Sequence, residues 1–249
     1  MSLDSGAVLT DDPSDEDSPL KITERNVKIM CIICSSPAGI DQPTTAQLRR
    51  MFETNPHGAG YMVARSGHVE ISKGYMDIES FLKAVQSEGF TKNDPVVYHF
   101  RISTQAGVTP EMTHPFPLSR RLSDMTELDI TSCSVGVAHN GIIPITSDRN
   151  DHSYSDTARF ITRYLVKLIR GPEDLRSHAV MEMISELTHS RLAILDKTGY
   201  IAYVGRWITE ENGLRFSNAS YQPPFEFKSY KSIFTEGGVN HEKRKAEAV

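Results

Sequence analysis

Four short clusters carry the side chains with reactive or recognition chemistry: Met30-Cys31, His99-Phe100-Arg101-Ile102-Ser103-Thr104, His139-Asn140-Gly141 and Ser155-Asp156-Thr157. A thiol can act as a nucleophile, and the arginine and aspartate are potential charge partners. Each cluster also has a plainer reading. Asn140-Gly141 is a turn dipeptide, since both residue types tolerate positive φ. Arg101 suits a surface ion pair, and Asp156 suits the positive end of a helix dipole. Cys31-Ile32-Ile33-Cys34 has the spacing of a redox or zinc CxxC pair. On a strand, however, positions three apart point to opposite faces, so the two thiols diverge. No second CxxC completes a zinc quartet, and Cys34 and Cys133 read as small buried apolar residues. His99, His114 and His139 lack the close spacing of a zinc-binding pair, so no metal is expected.

The hydrophobic periodicity around these clusters predicts the elements that must hold them. VKIMCIIC (27–34) reads as a short buried strand with Met30-Cys31 in its middle. TTAQLRRMFE (44–53) places Leu48, Met51 and Phe52 on one helical face, and 58–74 reads as a hairpin turning at Ser66-Gly67. Ile78, Phe81, Leu82 and Val85 have helical spacing, and PVVYHFR (95–101) and SVGVAHNG (134–141) read as strands followed by loops. The clearest helix is 155–172, with Ser155 as N-cap, an apolar face of Ala158, Ile161, Leu165, Leu168 and Ile169, and Gly171-Pro172 as its stop. A second helix is expected over 173–188, and 191–207 reads as a hairpin turning near Lys197-Thr198-Gly199. Strands in hairpins with grouped helices argue for an α+β architecture of antiparallel sheets covered by helices.

The chain's 249 residues, 39% of them hydrophobic, suffice for one sizeable core. A net charge of -5 creates no field that would draw it to nucleic acid or an anionic membrane surface. No apolar run approaches the roughly 20 residues of a membrane span. Three cysteines do not make a secreted disulfide framework, so a cytoplasmic protein with reduced thiols is expected. Residues 1–29 are rich in Asp, Ser and Pro and are expected to form a disordered acidic leader. The folded domain is expected over 30–235, with a charged tail over 236–249.

Taken in order, the clusters resemble the class II, N-terminal-nucleophile (Ntn) glutamine amidotransferases. The likeness begins at Met30-Cys31 and runs through HGAGYMV (57–63), HFRIST (99–104), THPF (113–116) and HNGII (139–143) to YSDTARFI (154–161). It implies a four-layer αββα sandwich of two antiparallel sheets. It also implies that Cys31 attacks the glutamine side-chain amide, while the Asn140 side-chain N–H and the Gly141 backbone N–H form the oxyanion hole. Arg101 is implied to clamp the α-carboxylate, Asp156 to hold the α-ammonium, and Thr104 to contact the substrate. Gly58 and Gly60 would let the backbone approach the site closely. No cofactor is implied, and ammonia would pass to a separate synthetase partner. The family uses the α-amine of a terminal cysteine as its base, whereas Cys31 follows thirty residues here. Translation from Met30 with loss of the methionine, or cleavage after Met30, is therefore expected. Three positions depart from the family pattern: Ile32 stands for a common Gly, Ile102 for Trp and Gln105 for His. Two other functions stay open, a glutamine-binding or scaffold protein without turnover and a hydrolase of a different amide.

Overall fold

Side-chain alternation along the strands sorts the apolar residues into three separate cores, and these define the layers. The computed structural model describes residues 30–103, 108–146 and 153–222, so the expected leader, Thr104, Gln105 and the charged tail lie outside the described residues. The larger sheet contains β1 (Ile32–Ser36), β2 (Ala59–Arg65), β3 (His68–Tyr75), β4 (Val96–Phe100), β6 (Asp129–Cys133), β10 (Ile208–Thr209) and β11 (Arg215–Phe216). Its order is β10-β11-β1-β4-β2-β3-β6. The smaller sheet contains β5 (Phe116–Pro117), β7 (Val135–Asn140), β8 (Arg191–Asp196) and β9 (Ile201–Val204), in the order β5-β7-β8-β9. Neighbouring strands in both sheets pair antiparallel.

On β1, Ile32 and Cys34 point outward into a core shared with Leu48, Met51 and Phe52 of α1 (Thr45–Thr54) and Phe81 and Leu82 of α2 (Ile78–Glu88). Ile33 points the other way, into an inter-sheet core with Met62, Val97, Ala138 and Leu195. On the far side, Val137, Leu192 and Ile194 pack under α3 (Asp156–Phe160), a π-helical turn (Ile161–Leu165), α4 (Val166–Leu168) and α5 (His178–Thr188). Helix, sheet, sheet and helix thus stack in four layers, an α+β sandwich. A side chain at Gly136 would run into Met62 Sδ, so this glycine lets the sheets meet closely.

Local signals set many of the boundaries. Thr44 and Gln47 form a reciprocal capping box at α1, while Asp77 caps α2 and Gly89 ends it in the left-handed region. Ser66 and Gly67 both have positive φ, 50° and 80°, as the two-residue turn between β2 and β3 demands.

The structure also corrects several expectations. β1 begins at Ile32, so Met30-Cys31 stands at the strand's entrance, not in its middle. The 155–172 helix has the expected Ser155 cap but passes through the π-helical turn, and Leu168 is only half-buried on its apolar face. Over 173–188, a short 3-10 turn (Asp174–Arg176) precedes α5, which Ser177 caps. The short strands β5, β6, β10 and β11 were not anticipated, because two to five residues with little alternation give no periodic signal. Among the described residues, no helix is long and apolar enough to cross a membrane.

Candidate active site

Cys31 sits where the β1–β4 ladder runs out. The last paired residues are Ile32 and Phe100, and beyond them the Ile102 N–H points at Cys31 Sγ, 3.4 Å away. The Cys31 carbonyl accepts from Asn218 Nδ2 at 2.8 Å. Burial pushes the Cys31 thiol pKa up, opposed by the Ile102 N–H, the Arg101 charge and the cysteine's own backbone, while Asp156 pushes it further up. Arg101 and Asp156, from distant segments, are thus both in electrostatic reach of the thiol. Cys34 is fully buried in the outer core, so the CxxC thiols diverge as strand geometry predicts.

The period of β4 continues past its end. His99 and Arg101 follow Val97 toward the inter-sheet side, and Arg101 is only 7% exposed, which removes the surface-pair reading. Hydrogen bonds to the 57–58 segment hold it there. His57 N–H donates to the Arg101 carbonyl at 2.9 Å, Arg101 N–H to the Gly58 carbonyl at 2.8 Å, and Ser103 N–H to His57 Nδ1 at 2.9 Å. The Arg101 guanidinium donates to Ser103 Oγ at 3.3 Å. Gly58 has φ of 113°, and a Cβ there would run into Thr113; one at Gly60 would run into the His114 carbonyl. Both glycines therefore permit the close approach of the 113–114 segment to the start of β2.

In the smaller sheet, Asn140 ends β7 fully buried, two residues on from Ala138 of the inter-sheet core. Its Nδ2 donates to Ser217 Oγ at 2.8 Å, while Oδ1 is buried with no partner among the described residues. Gly141 has φ of 149°, and a Cβ there would collide with the Ser190 hydroxyl. Asp156 opens α3 behind the Ser155 cap, and its carboxylate accepts the Ile143 and Thr157 N–H groups, each at 2.7 Å. The helix-terminus reading of Asp156 is correct locally, whereas Asn140 is the last residue of β7 and lacks the positive φ of the turn reading, which Gly141 alone of the pair adopts. Beyond these local readings, the loop after β7 and the start of α3 are tied together by the Ile143–Asp156 bond.

The three histidines gather next to this site. His99 Nε2 lies 3.0 Å from the His139 carbonyl, so it carries the proton, and His114 Nδ1 lies 2.9 Å from the same nitrogen. His139 Nδ1 contacts Thr157 Oγ1 at 2.8 Å. Burial holds all three neutral, pushing His99 down to about 3, His139 to about 4 and His114 well below the usual imidazole range. Among the described residues, no group of three or more His, Cys, Asp or Glu is arranged to hold a metal ion.

Of the residues expected at the site, Cys31, Arg101, Asn140, Gly141 and Asp156 converge at one end of the sandwich, and Thr104 lies outside the described residues. Sequence reading missed His57, Ser217 and Asn218. The last two follow a two-residue strand and read only as a polar loop. No protein-family model matches the chain, and no curated protein matches it.

Proposed function

We propose that this protein hydrolyses the side-chain amide of glutamine to glutamate and ammonia, as a class II amidotransferase domain with an Ntn-hydrolase fold. The observation that carries this reading is the convergence of Cys31, Arg101, Asn140 and Asp156, four residues from four segments, at one end of two stacked sheets. A buried cation and a carboxylate that both act electrostatically on one thiol suit a zwitterionic amino acid. Arg101 takes the α-carboxylate, and Asp156 takes the α-ammonium with the acceptor capacity left after its backbone bonds.

Burial raises the thiol pKa, so the reaction needs a base. The Ile102 N–H beside the sulfur is an amide and no base; the cysteine's own nitrogen also touches the thiol, and it becomes a base only as a free α-amine, with an ordinary pKa of about 7.7 to 8.0. Function therefore requires a chain that begins at Cys31. The amine takes the Sγ proton and Sγ attacks the amide carbon, with the charge on oxygen held by Asn140 Nδ2 and the Gly141 N–H. Collapse of the tetrahedral intermediate breaks the C–N bond, and the α-ammonium protonates the departing nitrogen to release ammonia. Water, deprotonated by the same amine, then cleaves the γ-glutamyl thioester. A separate synthetase consumes the ammonia.

Every described core residue lies at or beyond Ile32, so translation from Met30 removes none of them. The deciding experiment is intact mass and ammonia release for such a chain, before and after an electrophilic glutamine analogue. A chain beginning at Cys31, one adduct, and loss of adduct and of about 10³-fold or more in rate in Cys31→Ala are expected. A Cys31-terminal chain that neither turns over glutamine nor takes the label would overturn the reading. One observation favours a second reading, glutamine binding without turnover: in a chain that retains residues before Cys31, its nitrogen is an amide and the thiol pKa is raised. Glutamine binding by that chain without ammonia release, measured by calorimetry, distinguishes it.

A further inference from the structure

The segment after β11 touches both halves of the site. Ser217, 2% exposed, donates its N–H to the Ile33 carbonyl at 3.0 Å, and its Oγ accepts the Ile33 N–H at 2.9 Å. The same Oγ lies 2.8 Å from the Asn140 amide, and the next residue, Asn218, donates to the Cys31 carbonyl at 2.8 Å. One dipeptide thus joins the strand that follows the thiol to the residue ending β7 in the other sheet.

The Asn140 amide gives this link a chemical consequence. Its Nδ2 is directed at Ser217, and the atom left buried without a partner is Oδ1, an acceptor, where an oxyanion would need a donor. Buried polar atoms are nearly always paired, so an amide oxygen with no partner among the described residues, one side chain away from β1, calls for an explanation. Ser217 Oγ already accepts from Ile33, and its own proton remains to be donated. The two ends of a carboxamide are nearly the same size. Turning the Asn140 amide over lets the Ser217 O–H donate to Oδ1 and brings the NH₂ group to the unpartnered position. The buried vacancy then becomes a donor awaiting negative charge.

We propose that Ser217 and Asn218 are positioning residues: Ser217 sets the Asn140 amide with its NH₂ toward the reacting carbon, and Asn218 fixes the backbone of Cys31. The Ser217 part rests on the glutaminase reading, whereas the Asn218 part does not require turnover. A plain loop-tying role predicts loss of stability with equal changes in every kinetic constant. The positioning role predicts a split.

The experiment compares wild type, S217A, S217T and N218A, translated from Met30, by glutamine kinetics and by the rate at which iodoacetamide alkylates Cys31. S217A is expected to lower kcat about 10- to 100-fold, with KM and the alkylation rate within about twofold, and S217T to restore most of kcat. N218A is expected to change the alkylation rate by about threefold or more, because a loosened Cys31 backbone alters the thiol's burial and its contact with the Ile102 N–H. Wild-type kcat in S217A, or a kcat loss that S217T does not restore, overturns the role of Ser217. Wild-type alkylation in N218A overturns that of Asn218. A wild type that alkylates at Cys31 yet releases no ammonia instead overturns the glutaminase reading, and N218A alkylation still decides the clasp on the thiol.

Discussion

The interior between the two sheets has an apolar end and a polar end, equally buried and built on opposite terms. At the apolar end Met62, Val69, Ile71 and Leu195 interlock, and Gly136 makes room for the Met62 sulfur. At the polar end His99 and Asn140 are just as inaccessible and His114 is 7% exposed, yet each has a ring or amide atom without a partner among the described residues. Each such atom costs about 1–3 kcal/mol. Close packing at one end offsets incomplete pairing at the other, and the incomplete pairing lies beside Cys31, where the proposed chemistry needs groups that a substrate can satisfy. Substitutions at the two ends should therefore separate stability from activity.

The largest separation is expected from Asn140→Ala, which should lower kcat about 10²- to 10³-fold by removing an oxyanion donor. Its stability should change by only about 1 kcal/mol, because in either orientation of the amide the lost bond to Ser217 is balanced by removal of the amide atom left without a partner. Steady-state kinetics beside urea unfolding would show it, and a large stability loss would break the contrast. The converse is Met62→Ala, fully buried at the apolar end, which should cost about 2–5 kcal/mol while kcat/KM of the folded protein stays within about twofold.

Between pH 7 and pH 5, above the range in which carboxylates titrate, acid should act chiefly on the polar end. His99 and His139, held down at about 3 and 4, stay neutral in the folded protein, whereas unfolded imidazoles take up protons below about 6.5. Stability is thus fully present above about pH 6.5 and falls as the pH drops toward 4, by about 1.4 kcal/mol per unit for each imidazole. Urea midpoints at pH 7 and pH 5 should show the loss, and His114→Leu should flatten it by the share of one histidine. The smallest effect is expected from Arg101→Lys, which keeps the charge and loses the planar fork. KM for glutamine should rise about tenfold with kcat within about threefold. An equal fall in kcat would mean that Arg101 acts on the transition state and not in binding.

Much of this arrangement was legible in the chain itself. Three- and four-residue spacing located α1 and α2, short apolar runs located β2, β4, β7 and β8, and Ser66-Gly67 located a turn, because these signals depend on neighbours in sequence. The π-helical turn was not visible, since its residues keep a helical spacing of apolar side chains; nor were β10 and β11, too short to show a period. Cys31 was misplaced by one structural step for a related reason. The apolar run of β1 continues through it in the sequence, but the ladder ends at Ile32, where the Cys31 carbonyl is taken by Asn218 and its sulfur meets the Ile102 N–H.

The sequence by itself determined the kinds of groups available, the alternation that turns Ile33 inward and Cys34 outward, and the conformations that only Gly58 and Gly141 accept. Those properties are local, set by side-chain chemistry and by sterics within a few residues. Only the tertiary structure decided that a thiol, a buried guanidinium, an orphaned amide and a helix-start carboxylate share one neighbourhood, and that Ser217 and Asn218 join them. Those relations span up to 187 residues of chain between bonded partners. They arise because the outer cores and the inter-sheet core must close together, which brings the ends of β1, β4, β7 and β11 to the same edge.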